Sequence, residues 1–193
     1  MNKLTRADLM SLEQYHTERK AFRAKVMEHK APRKVSIGPN ASLYFEDRLT
    51  MQYQIQEMLR IERIFEAEGI QDELDAYNPL IPDGHNWKAT FMVEFPDVEE
   101  RKRKLAELIG IERQVWVQIH GFAKVYPIAN EDLSRETTDK TSSVHFLRFE
   151  LTPDMVVAAR DATPLSMGID HPVYQYSMEV PLETRRALAK DLA

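Results

Sequence analysis

Charged and amide side chains lie on what should be the apolar side of a helix in YQIQEMLRIERIF, Tyr53 to Phe65. At about 3.6 residues per turn, Met51, Ile55, Met58, Leu59 and Phe65 fall on one stripe, with Glu62 in its middle. Gln54 projects beside Ile61 and Phe65, and Glu57 between Ile61 and Ile64. Burying an ionised carboxylate without a partner is so costly that Glu62 needs a cation, a donor network or water. Arg60 and Arg63 project away from it, so the partner must come from another part of the chain.

The segment HFLRFEL is the best supplier. Alternation puts Val144, Phe146, Arg148 and Glu150 on one face of a strand and His145, Leu147, Phe149 and Leu151 on the other. Neither face is cleanly polar, which predicts a central strand. An arginine there can fork onto a carboxylate, so the expected pairing is Arg148 with Glu62 or Glu57. The candidate ligand-binding set is therefore Gln54, Glu57, Glu62, His145, Arg148 and Glu150. Two structural alternatives stand beside a pocket: a closed internal ion pair, or a one-sided sheet whose solvated face carries Arg148 and Glu150.

Other chemistries find less support. With no cysteine, the chain can form no disulfide, thiolate nucleophile, finger-type zinc site or self-held iron–sulfur cluster. The six histidines show no HExxH and no pair at helical or alternating-strand spacing, so neither a metal nor another cofactor is expected. His171, between Asp170 and Pro172, reads as part of a turn. GxSxG, SxxK, GxGxxG and GxxxxGK[ST] are all missing from the sequence, which argues against the familiar nucleophile and phosphate loops. The run RKRK, Arg101 to Lys104, reads as a solvated helix face.

The elements that must position the candidate residues follow from capping and periodicity. Thr5 with Asp8, and Ser11 with Gln14, each open a helix, and the second runs to Ala31 and Pro32. Leu12, Tyr15, Phe22 and Val26, with Arg19 on the same line, give that helix one narrow apolar seam. A hairpin is predicted from Lys34–Ile37 and Ser42–Glu46 around Gly38, Pro39 and Asn40. The quoted helix should run from about Arg48 to Glu66, and IQDELDAY should form a short one. From Trp87 onward, KATFMVEF, VWVQIH, KVYPI, SSVHFLRFEL, PLSMGID and VYQYSMEV read as strands, with inserted helices at DVEERKRKLAELIG, after Thr152 and Pro153, and at the end. The class is α+β: a mostly antiparallel sheet of about five to six strands packed by helices, with an N-terminal helical arm. We divide the single expected domain, 1–193, into the arm (1–31), a hairpin with helices (32–86) and the sheet (87–193).

A chain of 193 residues with 43% hydrophobic and 30% charged side chains can bury a sizeable core. No apolar run approaches the roughly 18 residues that span a bilayer, and the opening MNKLTRADLM is too charged for a signal peptide. A cytoplasmic location is the expectation, with neither membrane nor nucleic acid as partner. The net charge of −5 hides an asymmetry, because Met1 to Lys34 hold nine Lys or Arg against four Asp or Glu. That basic arm and its seam predict a protein partner or self-association, with a homodimer as one form.

FEDRLTMQYQIQEMLRIERIFE, LDAYNPLIPDG, NWKAT, DKTSSVHFLRFELT and GIDHPVY together resemble a bacterial family of proteins of unknown function, DUF3501-like, over nearly the whole chain. The resemblance implies no mechanism. It does imply a genomic association with rubrerythrin-like and iron–sulfur reductase-like proteins, hence an accessory role in oxidative-stress metabolism. Two readings follow: a cofactor-free accessory or interaction protein docking through its N-terminal helix, or a small-ligand binder or enzyme with a polar pocket around Glu57, Glu62 and Arg148.

Overall fold

The computed structural model describes residues 2–193. It is α+β, and its strands divide between two antiparallel sheets. The chain opens with a short 3-10 turn, Arg6–Asp8, and helix α1, Leu12–Lys30. The Ser11 hydroxyl accepts the Gln14 amide at 3.2 Å to start α1, and Pro32 ends it. Hairpin strands β1 (Lys34–Ser36) and β2 (Ala41–Phe45) follow. Gly38 turns between them at φ +71°, where an added Cβ would lie 2.6 Å from the Tyr176 ring, so both backbone and space demand glycine.

Helices α2 (Arg48–Glu62) and α3 (Ala67–Tyr77) come next, then β3 (Asn86–Val93) and α4 (Val98–Glu107). The remaining elements are β4 (Val115–Ile119), β5 (Ile128–Ala129), β6 (Val144–Glu150), α5 (Pro153–Arg160), β7 (Leu165–His171), β8 (Tyr174–Glu179) and α6 (Leu182–Ala189). The five-stranded sheet has the order β1-β2-β3-β6-β5, and the three-stranded sheet β4-β7-β8. Their facing sides share one core, with Leu43, Phe91, Leu147 and Phe149 from the first and Val117, Met167 and Ile169 from the second. KVYPI does not make one strand. Val125 bridges to Val117 in the smaller sheet, and Ile128 pairs with Arg148 in the larger, so the segment crosses between them.

A second core of Leu4, Met51, Ile55, Leu59, Leu74 and Ile81 joins the N-terminal segment, α2 and α3. The seam of α1 faces α2 of the same chain: Tyr15 and Val26 are buried, and the Phe22 ring lies 6.2 Å from Tyr53. The surface expected to meet a partner is thus occupied within the chain, and the outward side of α1, including Gln14, Glu18 and Lys25, is polar. Among the described residues no helix is long and apolar enough to cross a membrane.

The quoted helix stops four residues earlier than its periodicity predicts. Arg63 takes a left-handed conformation, φ 57°, and its amide closes back on Leu59. Glu62 therefore stands in the last turn, where the stripe has run past its cover, and it is exposed. Ile61 and Phe65 are exposed as well, at 60% and 71%.

The C-terminal segment is stitched to the first half of the chain through polar atoms. Arg33, 2% exposed, gives its Nε to the Phe45 carbonyl at 3.0 Å and Nη2 to Asp191 Oδ2 at 2.5 Å. The Trp87 indole donates to the Leu188 carbonyl at 3.0 Å.

Candidate functional site

One face of the five-stranded sheet meets the apolar core. The other meets α3 and the turns beside it, and there the strands place like charges together. Lys88 of β3 and Arg148 of β6 are cross-strand partners, with Thr90 and Phe146 as the next pair on that face. Two cations opposite one another in an antiparallel ladder repel, so carboxylates must offset the charge.

Three do so from different parts of the chain. Arg148 forks onto Glu131, Nε to Oε2 at 2.8 Å and Nη2 to Oε1 at 2.6 Å, while its Nη1 donates to Glu150. Lys88 Nζ donates to Asp83 Oδ2 at 2.9 Å and to the Pro79 carbonyl at 2.7 Å. The Glu131 bonds, followed by that from Glu150, hold the guanidinium firmly charged, and Arg148 in turn lowers the Glu131 carboxyl below its ordinary range. Burial alone would raise Asp83, but hydrogen bonds from Lys3, Lys88 and Asn86 overcome it and hold the carboxyl well below the usual range.

Above this floor is a cavity of about 520 Å³, walled by Tyr77, Pro79 and Leu80 on one side and by Glu131, Asp132 and Arg135 on the other, with Phe146 and Arg148 beneath. Arg135 stacks over the Phe146 ring, 4.6 Å from its centroid, and is itself forked by Asp132. Asn130 sets the outer wall. In the left-handed region at φ 53°, which its short polar side chain tolerates, it turns the chain out of β5 and brings Glu131 back over Arg148.

The six candidate residues do not meet as a group. Arg148 and Glu150 stand together, facing away from the main core as their alternation predicts. Glu57 is elsewhere: its carboxylate takes Arg19 in a fork of 2.7 and 2.9 Å, the Tyr15 hydroxyl at 2.6 Å and Arg60 at 3.3 Å. The expected pairing of Arg148 with Glu57 or Glu62 is therefore incorrect, because α1 supplies the arginine for Glu57 and Glu62 is in solvent. The Arg19 bonds lead in depressing the Glu57 carboxyl to about 2. Gln54 is only half-buried, and the buried amide of α2 is Gln56, which accepts from the Met10 amide at 2.6 Å.

His145 is fully buried on the core side of β6. Its Nε2 lies 3.0 Å from the Ser142 carbonyl, which can only accept, so Nε2 carries the proton and Nδ1 accepts from the Asn130 amide at 2.9 Å. Burial is the main force pushing this imidazole down to about 4. It is a neutral brace beneath the Asn130 turn.

The sequence reading missed Asp83, Lys88, Glu131 and Arg135 as site residues. Alternation in KATFMVEF puts Lys88 and Thr90 on the face opposite Phe91 and Val93, and the signal the sequence lacks is the cross-strand partnership of Lys88 with Arg148. Glu131 and Arg135 lie in a loop with no periodicity, and only the β5–β6 pairing brings them over the sheet. Among the described residues no three His, Asp or Glu side chains gather as a metal ion would require.

The model of a family described as "Protein of unknown function (DUF3501)" matches residues 3–192. Among solved structures, the chain is similar to a novel protein of unknown function from Burkholderia pseudomallei K96243, 48% identical over 100% of both chains with a TM-score of 0.95. Comparison with curated proteins finds no match.

Two outcomes follow from these placements. Glu57→Ala leaves the buried Tyr15 hydroxyl without its acceptor and should cost about 1–3 kcal/mol in urea unfolding, whereas Glu62→Ala should stay within about 0.5 kcal/mol of wild type. Equal losses at the two positions would contradict the assignment.

A second outcome concerns pH. With the folded His145 near 4 and an unfolded histidine near 6.5, the unfolded chain binds the extra proton between those values. Its contribution is complete above about pH 6.5 and is lost as pH falls toward 4, by about 3 kcal/mol. Asp191, raised by burial to about 6, acts with the opposite sign in the same window in both proteins, so the difference isolates His145: between pH 6.5 and 4 wild type should lose more unfolding free energy than His145→Gln, and equal slopes in the two would rule out His145 as a source.

Proposed function

The chain belongs to the DUF3501 family, and we propose that it is a small-ligand-binding protein whose site is the groove over Lys88 and Arg148. The observation that carries this reading is the paired-cation floor, matched on its open side by Glu131, a carboxylate that is itself half in solvent. Glu131 occupies the place a ligand carboxylate would take. An exposed ion pair of this kind is worth roughly 0–1 kcal/mol, so an incoming anion can exchange with it at little cost.

The walls specify the rest of the ligand. Tyr77, Pro79, Leu80 and Phe146 offer apolar contact, and the cavity's volume of about 520 Å³ suits a small organic molecule. Asp75 and Asp132 also line the groove, which disfavours multiply charged anions. The ligand class is a monocarboxylate with a flat apolar body. Titration calorimetry with benzoate, phenylacetate and indole-3-acetate tests it. Arg148→Met should weaken binding at least tenfold, and Glu131→Gln should strengthen it by removing the internal competitor. No binding to wild type by any of the three, or binding indifferent to Arg148→Met, would overturn the reading.

A further inference from the structure

A second cavity, about 510 Å³, lies where the end of α1, the start of α2 and α6 converge. His29 and Arg33 line it together with Lys25, Glu28, Glu183 and Lys190. His29 Nε2 lies 2.5 Å from Asp47 Oδ2, and the imidazole remains one-third exposed to the cleft. Asp47 is fixed from two further sides. Its Oδ1 accepts the Thr50 amide at 2.9 Å as the N-cap of α2, Arg33 Nη1 lies 3.5 Å from Oδ2, and the residue itself is buried. Arg33 is immobilised in turn by the Phe45, Glu46 and Ala187 carbonyls and by Asp191.

A buried carboxylate on one nitrogen of a partly exposed imidazole does a definite job. It fixes the tautomer with the proton on Nε2, leaves the Nδ1 lone pair as the base, and stabilises the imidazolium formed when Nδ1 takes a proton. Leu49, second residue of the 15-residue helix α2, also lines the cleft. The amides of Thr50 and Met51 are held by Asp47, while those of Arg48 and Leu49 have no carbonyl within the helix to accept them. Lys25 and Lys190 alongside Glu28 and Glu183 give the rim both signs of charge, suited to a polar substrate.

We propose that this cleft is a hydrolytic site, with His29 the general base for water attack on a small carboxylic ester. Nδ1 takes a proton from water as its oxygen bonds to the carbonyl carbon. The carbon–oxygen bond to the alcohol then breaks, and the imidazolium returns the proton to the departing alkoxide. Acid and alcohol are the products, and no further reactant is needed. Asp47 is a positioning residue, acting through His29.

The full chain with p-nitrophenyl acetate tests this. Wild type should hydrolyse the ester above the buffer rate and saturably, and His29→Gln should lose at least tenfold while keeping its far-ultraviolet dichroism. His16→Gln, at an exposed position on α1, should keep the wild-type rate. Asp47→Asn should lower the rate and take the His29 ring nitrogen-15 resonances away from a single Nε2–H tautomer toward the mixed pattern of a free imidazole, which a loss of stability alone would not do. A wild-type rate no greater than buffer, a His29→Gln rate equal to wild type, or equal losses in the two histidine variants would overturn the proposal.

Discussion

Lys88 and Arg148 face one another across adjacent strands of a sheet that is covered on both sides, and the architecture around them answers that repulsion. Lys88 is held by Asp83 from the turn ahead of β3, and Arg148 by Glu131 from the loop after β5 and by Glu150 at the end of its own strand. The Pro79 turn closes over Lys88, which is buried with its Nζ on the Pro79 carbonyl, but the cover stops short of Arg148, whose side chain stays one-quarter exposed because burying it dry would cost more than apolar packing returns. The gap left there is the groove. The opposite face has no such conflict, and there Phe91, Leu147 and Phe149 pack directly against the smaller sheet.

The same rule of matching charge at depth recurs in two further places. Glu57 gathers Arg19 and Tyr15 so that α1 lies along α2 in one register. Arg33 gathers Asp191 and three carbonyls so that the C-terminal segment closes on the hairpin. In each case the cation or carboxylate comes from a distant part of the sequence, and the polar contact fixes which surfaces meet.

Local features were legible in advance. The Ser11 cap, the Gly38 turn, the N-cap of α5 at Thr152 and the alternation of β6 all follow from rules that act within a few residues, and the structure has each of them. The division into two sheets was not legible, since it depends on a crossing between Val125 and Ile128 that period alone does not mark. The pairing of Arg148 failed for a related reason. A helical wheel says which side Glu62 is on but not that Arg63 ends the helix before that side is covered. It also cannot say that Arg19, already visible on the α1 seam, is the nearer cation for Glu57.

In the proposed site Arg148 is an anion-binding group held ready by an exchangeable carboxylate, Glu131. The most direct measurement is the side-chain Nε–H resonance of Arg148 by nitrogen-15 NMR during titration with benzoate. A saturable shift is expected at Arg148, with the Arg19 Nε–H, locked to Glu57, left unmoved. No shift at Arg148 at saturating benzoate, or equal shifts at the two arginines, would contradict that role.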